Sequence, residues 1–218
     1  LLTKNETLLD LRWGDWRTYM KAVKNIVVQP NEFYRTLALG VEEAAKKYGG
    51  LEYAMAFNKV EPAGYITGPL YFLSIAIGFR HSHLDAGAYS FDEKIFSRGG
   101  ELPSPSDAVK RIVEEEAWRQ ILNSLVACLF ARAIYTPEIV LKTLKILGYD
   151  YDEVQLRELG KRIYLKKQRI KLEEGFNPKN VRIPERIYET PTPLGKVSRQ
   201  YIDQALAEFE KLLKNGEQ

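Results

Sequence analysis

The chain has 218 residues, and its 32 lysines and arginines stand against 29 aspartates and glutamates, a formal charge of +3. So even a balance excludes a protein dedicated to coating nucleic acid, which carries a strong basic excess on one face. With 45 % hydrophobic and 28 % charged residues, the composition is that of a folded globular protein and not of a disordered one.

A single cysteine, Cys128, closes no intrachain disulfide, so a reducing, cytoplasmic setting is expected. The longest apolar run, Leu70 to Phe79, is about half of the roughly 18 to 20 residues that span a membrane, so no membrane association is expected. Lys4, Glu6 and Asp10 interrupt any apolar core of a signal peptide. The chain begins at Leu1 and not at Met, which fits a part of a longer polypeptide.

In chain order, Trp16, Tyr19, Met20, Val23, Ile26 and Val27 recur at helical spacing and predict a helix ended by Pro30, with Asp15 placed to cap its start. Asn31 caps a second predicted helix, whose stripe runs Phe33, Leu37, Val41, Ala44 and Ala45 to a stop at Tyr48-Gly49-Gly50. Leu51 to Val60 reads as short and extended. Gly68-Pro69 opens a buried helix to Phe79, which delivers the chain into the polar run Arg80-His81-Ser82-His83-Leu84-Asp85-Ala86-Gly87. Arg98 to Ser106 reads as an exposed loop. Asp107 to Ala133 is predicted helical, with a charged, solvated first half and a buried apolar second half. Thr136-Pro137-Glu138 starts a short helix to Leu147 that Gly148 ends. Asp152 to Glu174 forms a longer amphipathic helix, Pro178 to Pro193 is extended, and Ser198 to Leu213 gives the last helix. The fold class is therefore mainly α, an irregular multi-helix domain with little strand, since period-2 alternation is scarce.

Chemistry has few places to reside. His81 and His83 are the only histidines, and with Asp85 they alternate, so an extended loop would aim all three to one side. Three readings stand open: a cation held by nitrogen and oxygen ligands, structural histidines bonded to backbone, or an acid/base role for an imidazole beside a carboxylate. Cys128, set in Ile121-Leu122-Asn123-Ser124-Leu125-Val126-Ala127-Cys128-Leu129-Phe130, reads on composition as a small buried hydrophobe. The basic run from Lys161 to Lys171 is flanked by Glu158, Glu173 and Glu174 and reads as a solvated helix face. Phosphate-type glycine loops, a nucleophile elbow and a Cys-x-x-Cys pair are absent.

Four pieces together resemble a known family: Leu1-Leu2-Thr3, Leu9-Asp10-Leu11-Arg12-Trp13-Gly14-Asp15, Leu39-Gly40-Val41-Glu42-Glu43-Ala44-Ala45 and Glu52-Tyr53-Ala54-Met55. In order and spacing they are similar to the C-terminal half of the tungsten-dependent aldehyde:ferredoxin oxidoreductases. The likeness runs on through the histidine segment, the cysteine segment and Ile183-Pro184-Glu185-Arg186, nearly the whole chain.

The resemblance implies a three-domain enzyme in which a β domain and two helical domains enclose a tungsten bis-pterin centre and a [4Fe–4S] cluster. Residues 1–66 would be the end of the second domain and 67–218 the third. It implies that His83 moves the proton during aldehyde oxidation, with Asp85 and His81 modifying its setting. It implies too that Cys128 is the fourth cluster cysteine, with Asn123 and Ala127 beside the pterin.

In the family pattern Asp-x-x-Gly-Leu-Cys, this sequence has Asn123 for Asp, Val126 for Gly and Ala127 for Leu. The remaining cluster cysteines would lie upstream or on a partner subunit, and ferredoxin would take the electrons. The chain alone, with one thiolate of four and no expected cofactor, would then be inactive. The alternative is a cofactor-free, degenerate domain that serves as a structural or partner-docking subunit.

Overall fold

The computed structural model describes residues 9–215, so the Leu1-Leu2-Thr3 piece lies outside the described residues. Eleven α-helices follow one another, with no strand among the described residues. Only two isolated bridges, Phe57 with Val60 and Thr192 with Gly195, pair backbone in extended fashion. The mainly α expectation holds for a physical reason: apolar residues at three- and four-residue spacing fill most of the length.

The organising element is α4 (Pro69–Ile77), every residue of which is buried. Proline at its first position costs no hydrogen bond there. The orphan N–H groups of Leu70 and Tyr71 donate to the Asp92 carboxylate at 3.1 and 2.8 Å, a cap supplied by another helix, α6 (Tyr89–Arg98). Around α4 pack Ile112 and Val113 of α7 (Pro105–Ser124), Tyr164 of α9 (Glu153–Glu173), and Ile202 and Phe209 of α11 (Arg199–Asn215). Each such fully buried apolar side chain contributes roughly 1.5–3 kcal/mol of transfer free energy, so this cluster dominates the stability of the chain. A smaller cluster of Ile121, Leu122, Val140 and Leu156 ties the end of α7 to α8 (Pro137–Ile146) and α9.

Arg182 joins distant parts of the chain: its terminal nitrogens donate to the carbonyls of Leu51, Ala54 and Ala56. Its backbone N–H meets Asn58 Oδ1 at 3.3 Å.

Several local expectations change. The second predicted helix breaks in two, α2 (Glu32–Leu37) and α3 (Val41–Tyr48), because Gly40 takes a φ of +101. Leu51 to Val60 is a short 3-10 turn and a tight bridge, not a strand. Pro178 to Pro193 holds a 3-10 turn and the short helix α10 (Arg186–Glu189). The sequence also passed over α6 as an element. The largest correction concerns the segment after α7: the helix stops at Ser124, and Val126, Phe130 and Ile134 are 91 %, 91 % and 67 % exposed. The apolar second half of that segment is therefore half surface.

The helix α1 (Trp16–Val28) has the predicted apolar stripe and the predicted Asp15 cap, yet buries no residue, and Trp13 before it is fully exposed. Among the described residues no helix is long and apolar enough to cross a membrane.

Candidate functional site

The run from Arg80 to Gly87 is not an extended loop. Ser82 and Asp85 form a reciprocal capping box that winds His83–Ala86 into one helical turn, α5. Residues 81, 83 and 85 therefore do not share a side, and among the described residues no three His, Cys, Asp or Glu groups are placed to hold a metal ion. The cation reading of this segment is set aside.

His81 is buried. Its Nδ1 lies 2.9 Å from the Ile75 carbonyl, which only accepts, so Nδ1 carries the proton. Its Nε2 faces Asn58 Nδ2 at 3.0 Å, while Asn58 Oδ1 is taken by Arg182 N–H, so Nε2 must accept. Both nitrogens are spent and the ring is neutral. Burial, helped by the Lys171 charge, pushes its pKa down to about 4. His81 is thus one of the backbone-bonded structural histidines.

Asp85 is likewise buried. Its Oδ1 accepts from Arg80 Nε at 2.9 Å, and its Oδ2 from the N–H groups of Arg80 and Ser82. This carboxylate organises the turn.

His83 differs from both. It is half-buried, and no hydrogen bond to either ring nitrogen occurs among the described residues. Burial pushes its pKa down and the Arg119 charge adds to that, while Asp85 pulls the other way. A neutral imidazole with free nitrogens accepts a proton near neutral pH.

The cysteine segment lies beyond a helix end. The Ala127 N–H donates to the Leu122 carbonyl at 2.9 Å and the Val126 N–H to the Asn123 carbonyl at 3.1 Å, the paired bonds of a Schellman stop. Val126 sits at a φ of +57, the left-handed region where this motif normally places glycine. Cys128 then emerges exposed ahead of the 3-10 turn Leu129–Ala131, which corrects the buried-hydrophobe reading. Asn123 is exposed at the end of α7, and Ala127 packs at the edge of the smaller core.

A line of contacts connects the two segments. The His83 ring meets the Tyr65 ring edge-on at 5.2 Å, and Tyr65 meets Tyr89 at 5.7 Å. The Tyr89 hydroxyl accepts from Arg132 Nη2 at 3.0 Å, and Arg132 Nη1 donates to the Leu129 carbonyl next to Cys128. Tyr65 is 51 % exposed, so this line runs along a surface and not through the core.

Beneath the histidine turn lies a group that sequence reasoning missed. Glu116, expected on a solvated half-helix, is fully buried and accepts the Phe79 N–H at 2.8 Å. Burial pushes its carboxyl up, with the Asp85 charge adding to the effect, and burial pushes Lys171 down. Lys171 Nζ donates to the Gly78 carbonyl at 3.1 Å. The missed signal was register: Glu116 falls four residues after Ile112 and four before Gln120, on the buried stripe of α7.

The body is all-helical among the described residues, and a line of contacts joins the turn of His83 to the turn beside Cys128. The chain matches the family model described as aldehyde ferredoxin oxidoreductase, domains 2 & 3, over residues 1–215, and it belongs to that family. No curated protein matches the chain.

Proposed function

We propose that this chain is the domain 2 and 3 portion of a tungstopterin, iron–sulfur oxidoreductase that oxidises aldehydes and passes the electrons to ferredoxin. Residues 1–66 are read as the end of domain 2 and 67–218 as domain 3. The observation that carries the reading is the contact line from His83 through Tyr65, Tyr89 and Arg132 to the turn beside Cys128. That line joins the half-buried His83 to the turn beside the exposed Cys128, and the family match over residues 1–215 supports the reading.

The donors fit the implied cofactors in part. Cys128 offers an exposed thiol, and Asn123 offers an exposed amide with both donor and acceptor. One thiolate is one cluster ligand of four, so the other three come from an upstream segment or a partner subunit.

When bound, the tungsten pterin supplies the two-electron oxidation and the cluster relays single electrons. The chain's own residues do the rest. His83 accepts, at a free ring nitrogen, a proton released as aldehyde and water become the acid, and returns it to solvent along the open Tyr65 side. Asp85 and His81 act behind it, the first by winding its turn and the second by anchoring the preceding loop to α4. By itself the chain is expected to be inactive.

The test is metal analysis and aldehyde-dependent dye reduction on the complete protein. His83→Gln should retain tungsten and iron yet lose about 100-fold or more in turnover. Cys128→Ser should lower iron content and leave tungsten. A native protein with neither tungsten nor iron would overturn the proposal and leave the cofactor-free docking role.

A further inference from the structure

The turn that carries His83 is gripped at two points by one helix. Glu116 Oε1 accepts the Phe79 N–H at 2.8 Å, and Arg119 Nη1 donates to the Leu84 carbonyl at 2.6 Å. Residues three apart on a helix share a face, so both grips come from the same side of α7. Both side chains are buried, and Arg119 is 4 % exposed.

Arg119 has no freedom to do this loosely. Its Nε donates to Glu115 Oε1 at 3.0 Å, and its guanidinium fills the space where a Cβ of Gly87 would stand. The Leu84 carbonyl is one of the orphan acceptors at the end of α5, so the guanidinium caps the very turn that bears His83. A buried cation costs several kcal/mol unless it is paired, and an apolar side chain would fill the same space without that cost. Glu115 and the Leu84 carbonyl offset that cost, so the guanidinium is fixed against the turn by its own pairing.

The groups facing His83 are few. They are Arg119 from α7, which is ion-paired with Glu115, Asp85 from its own turn, which is ion-paired with Arg80, and the ring of Tyr65. Burial is the first cause that pushes His83 down; the Arg119 charge adds to it and the Asp85 charge opposes it.

We propose that Arg119 and Glu116 are positioning residues for His83, gripping its turn at the Leu84 carbonyl and the Phe79 N–H from one side of α7. This deepens the proposed function and rests on it for the catalytic meaning, though not for the measurement below.

The chain contains two histidines, and the ring of His81 is locked by its neighbours, so NMR titration of the imidazole Cε1–H signals of the full 218-residue chain isolates His83. Arg119→Gln keeps an N–H donor for Leu84 and removes the charge. It should raise the His83 midpoint by about half a unit or more. Arg119→Lys keeps the charge and should leave the midpoint within a few tenths, about the wild-type value.

Glu115→Gln guards against loss of fold in those variants, because it leaves the guanidinium in place and removes its counter-charge. It should lower the midpoint. An unchanged midpoint in Arg119→Gln, an equal rise in Arg119→Lys, or no lowering in Glu115→Gln would overturn the proposal. In the complete enzyme the acidic limb of the pH–rate profile should follow the same order. If the NMR shifts appear and the profile stays still, the positioning role stands and the proton-acceptor reading of His83 falls.

Discussion

Val126→Gly is the sharpest test of how the cysteine segment is built. The Schellman stop after α7 needs a left-handed residue at position 126, and the chain places valine there at a φ of +57. For a residue with a Cβ that region costs roughly 1–2 kcal/mol, and β-branching puts valine at the upper end. Glycine removes that cost but gains freedom in the unfolded chain, which returns about 0.5–1 kcal/mol. The side chain is 91 % exposed, so deleting it forfeits little burial.

The net expectation is a stabilisation of about 1–1.5 kcal/mol. At about 2–4 °C per kcal/mol for a chain of this size, that is a rise of roughly 2–6 °C in Tm. Thermal melts followed by circular dichroism, with urea midpoints as a second measure, read it directly. Val126→Ala should fall between the two. A lower Tm for Val126→Gly would refute the reasoning, since the valine side chain would then be making contacts worth more than the backbone strain it causes.

Other consequences are equally open to measurement. Glu116 has a carboxyl raised from 4.5 to about 8 by burial, so the native state binds its proton where the unfolded state does not. Its contribution is complete below about 4.5 and is lost as pH rises through about 8. Asp92, raised to about 6, and His81, lowered to about 4, act with opposite signs at lower pH. From about pH 6.5 to 7 stability should therefore fall with a slope approaching about 1.4 kcal/mol per pH unit, easing toward pH 8 where Lys171, pushed down to about 8, acts with the opposite sign, and Glu116→Gln should flatten the fall. Urea midpoints across that range check this, and an unchanged slope in the variant counts against it. Gly160→Ala sets helix propensity against packing, because a Cβ there would lie 2.6 Å from the Ala117 carbonyl of α7. The clash of about 1–3 kcal/mol should exceed the gain of about 1 kcal/mol, so the melt should drop; a rise would show that the two helices part easily. Native Cys128 should react fully with an aromatic disulfide reagent without denaturant, and protection until unfolding would contradict its exposure.

What could be read from the sequence follows from which forces are local. Helix starts were legible where a cap writes itself into the chain: Asp15, Asn31 and Thr136 each accept the N–H expected of them. The helix α4 was legible because an unbroken apolar run after Gly68-Pro69 has nowhere to go but the core. The histidine turn was misread because its capping box couples Ser82 to Asp85, a pair that period-2 spacing conceals. The end of α7 was misread because valine hides a left-handed stop that glycine would announce. Arg119 and Glu116 escaped notice because charge at a buried position is explained only by partners far along the chain, Leu84 and Phe79. Family likeness drew attention to His83 among the three polar candidates, but only its free nitrogens separate it from His81 and Asp85.

Valine at position 126 also bears on what the family pattern preserves. If glycine were kept there solely to admit a cofactor, its replacement would release the backbone to an ordinary conformation. Here the left-handed geometry persists, with both hydrogen bonds of the stop intact, and Cys128 still leaves the helix into the open. The fold thus holds the cysteine turn by backbone pairing, at a conformational cost. That cost is borne beside an exposed thiol. The same logic applies across the contact line at Arg119, where a buried guanidinium is maintained next to the one histidine whose nitrogens are free. Each cost falls beside one side chain, Cys128 or His83, whose proposed role the variants above test.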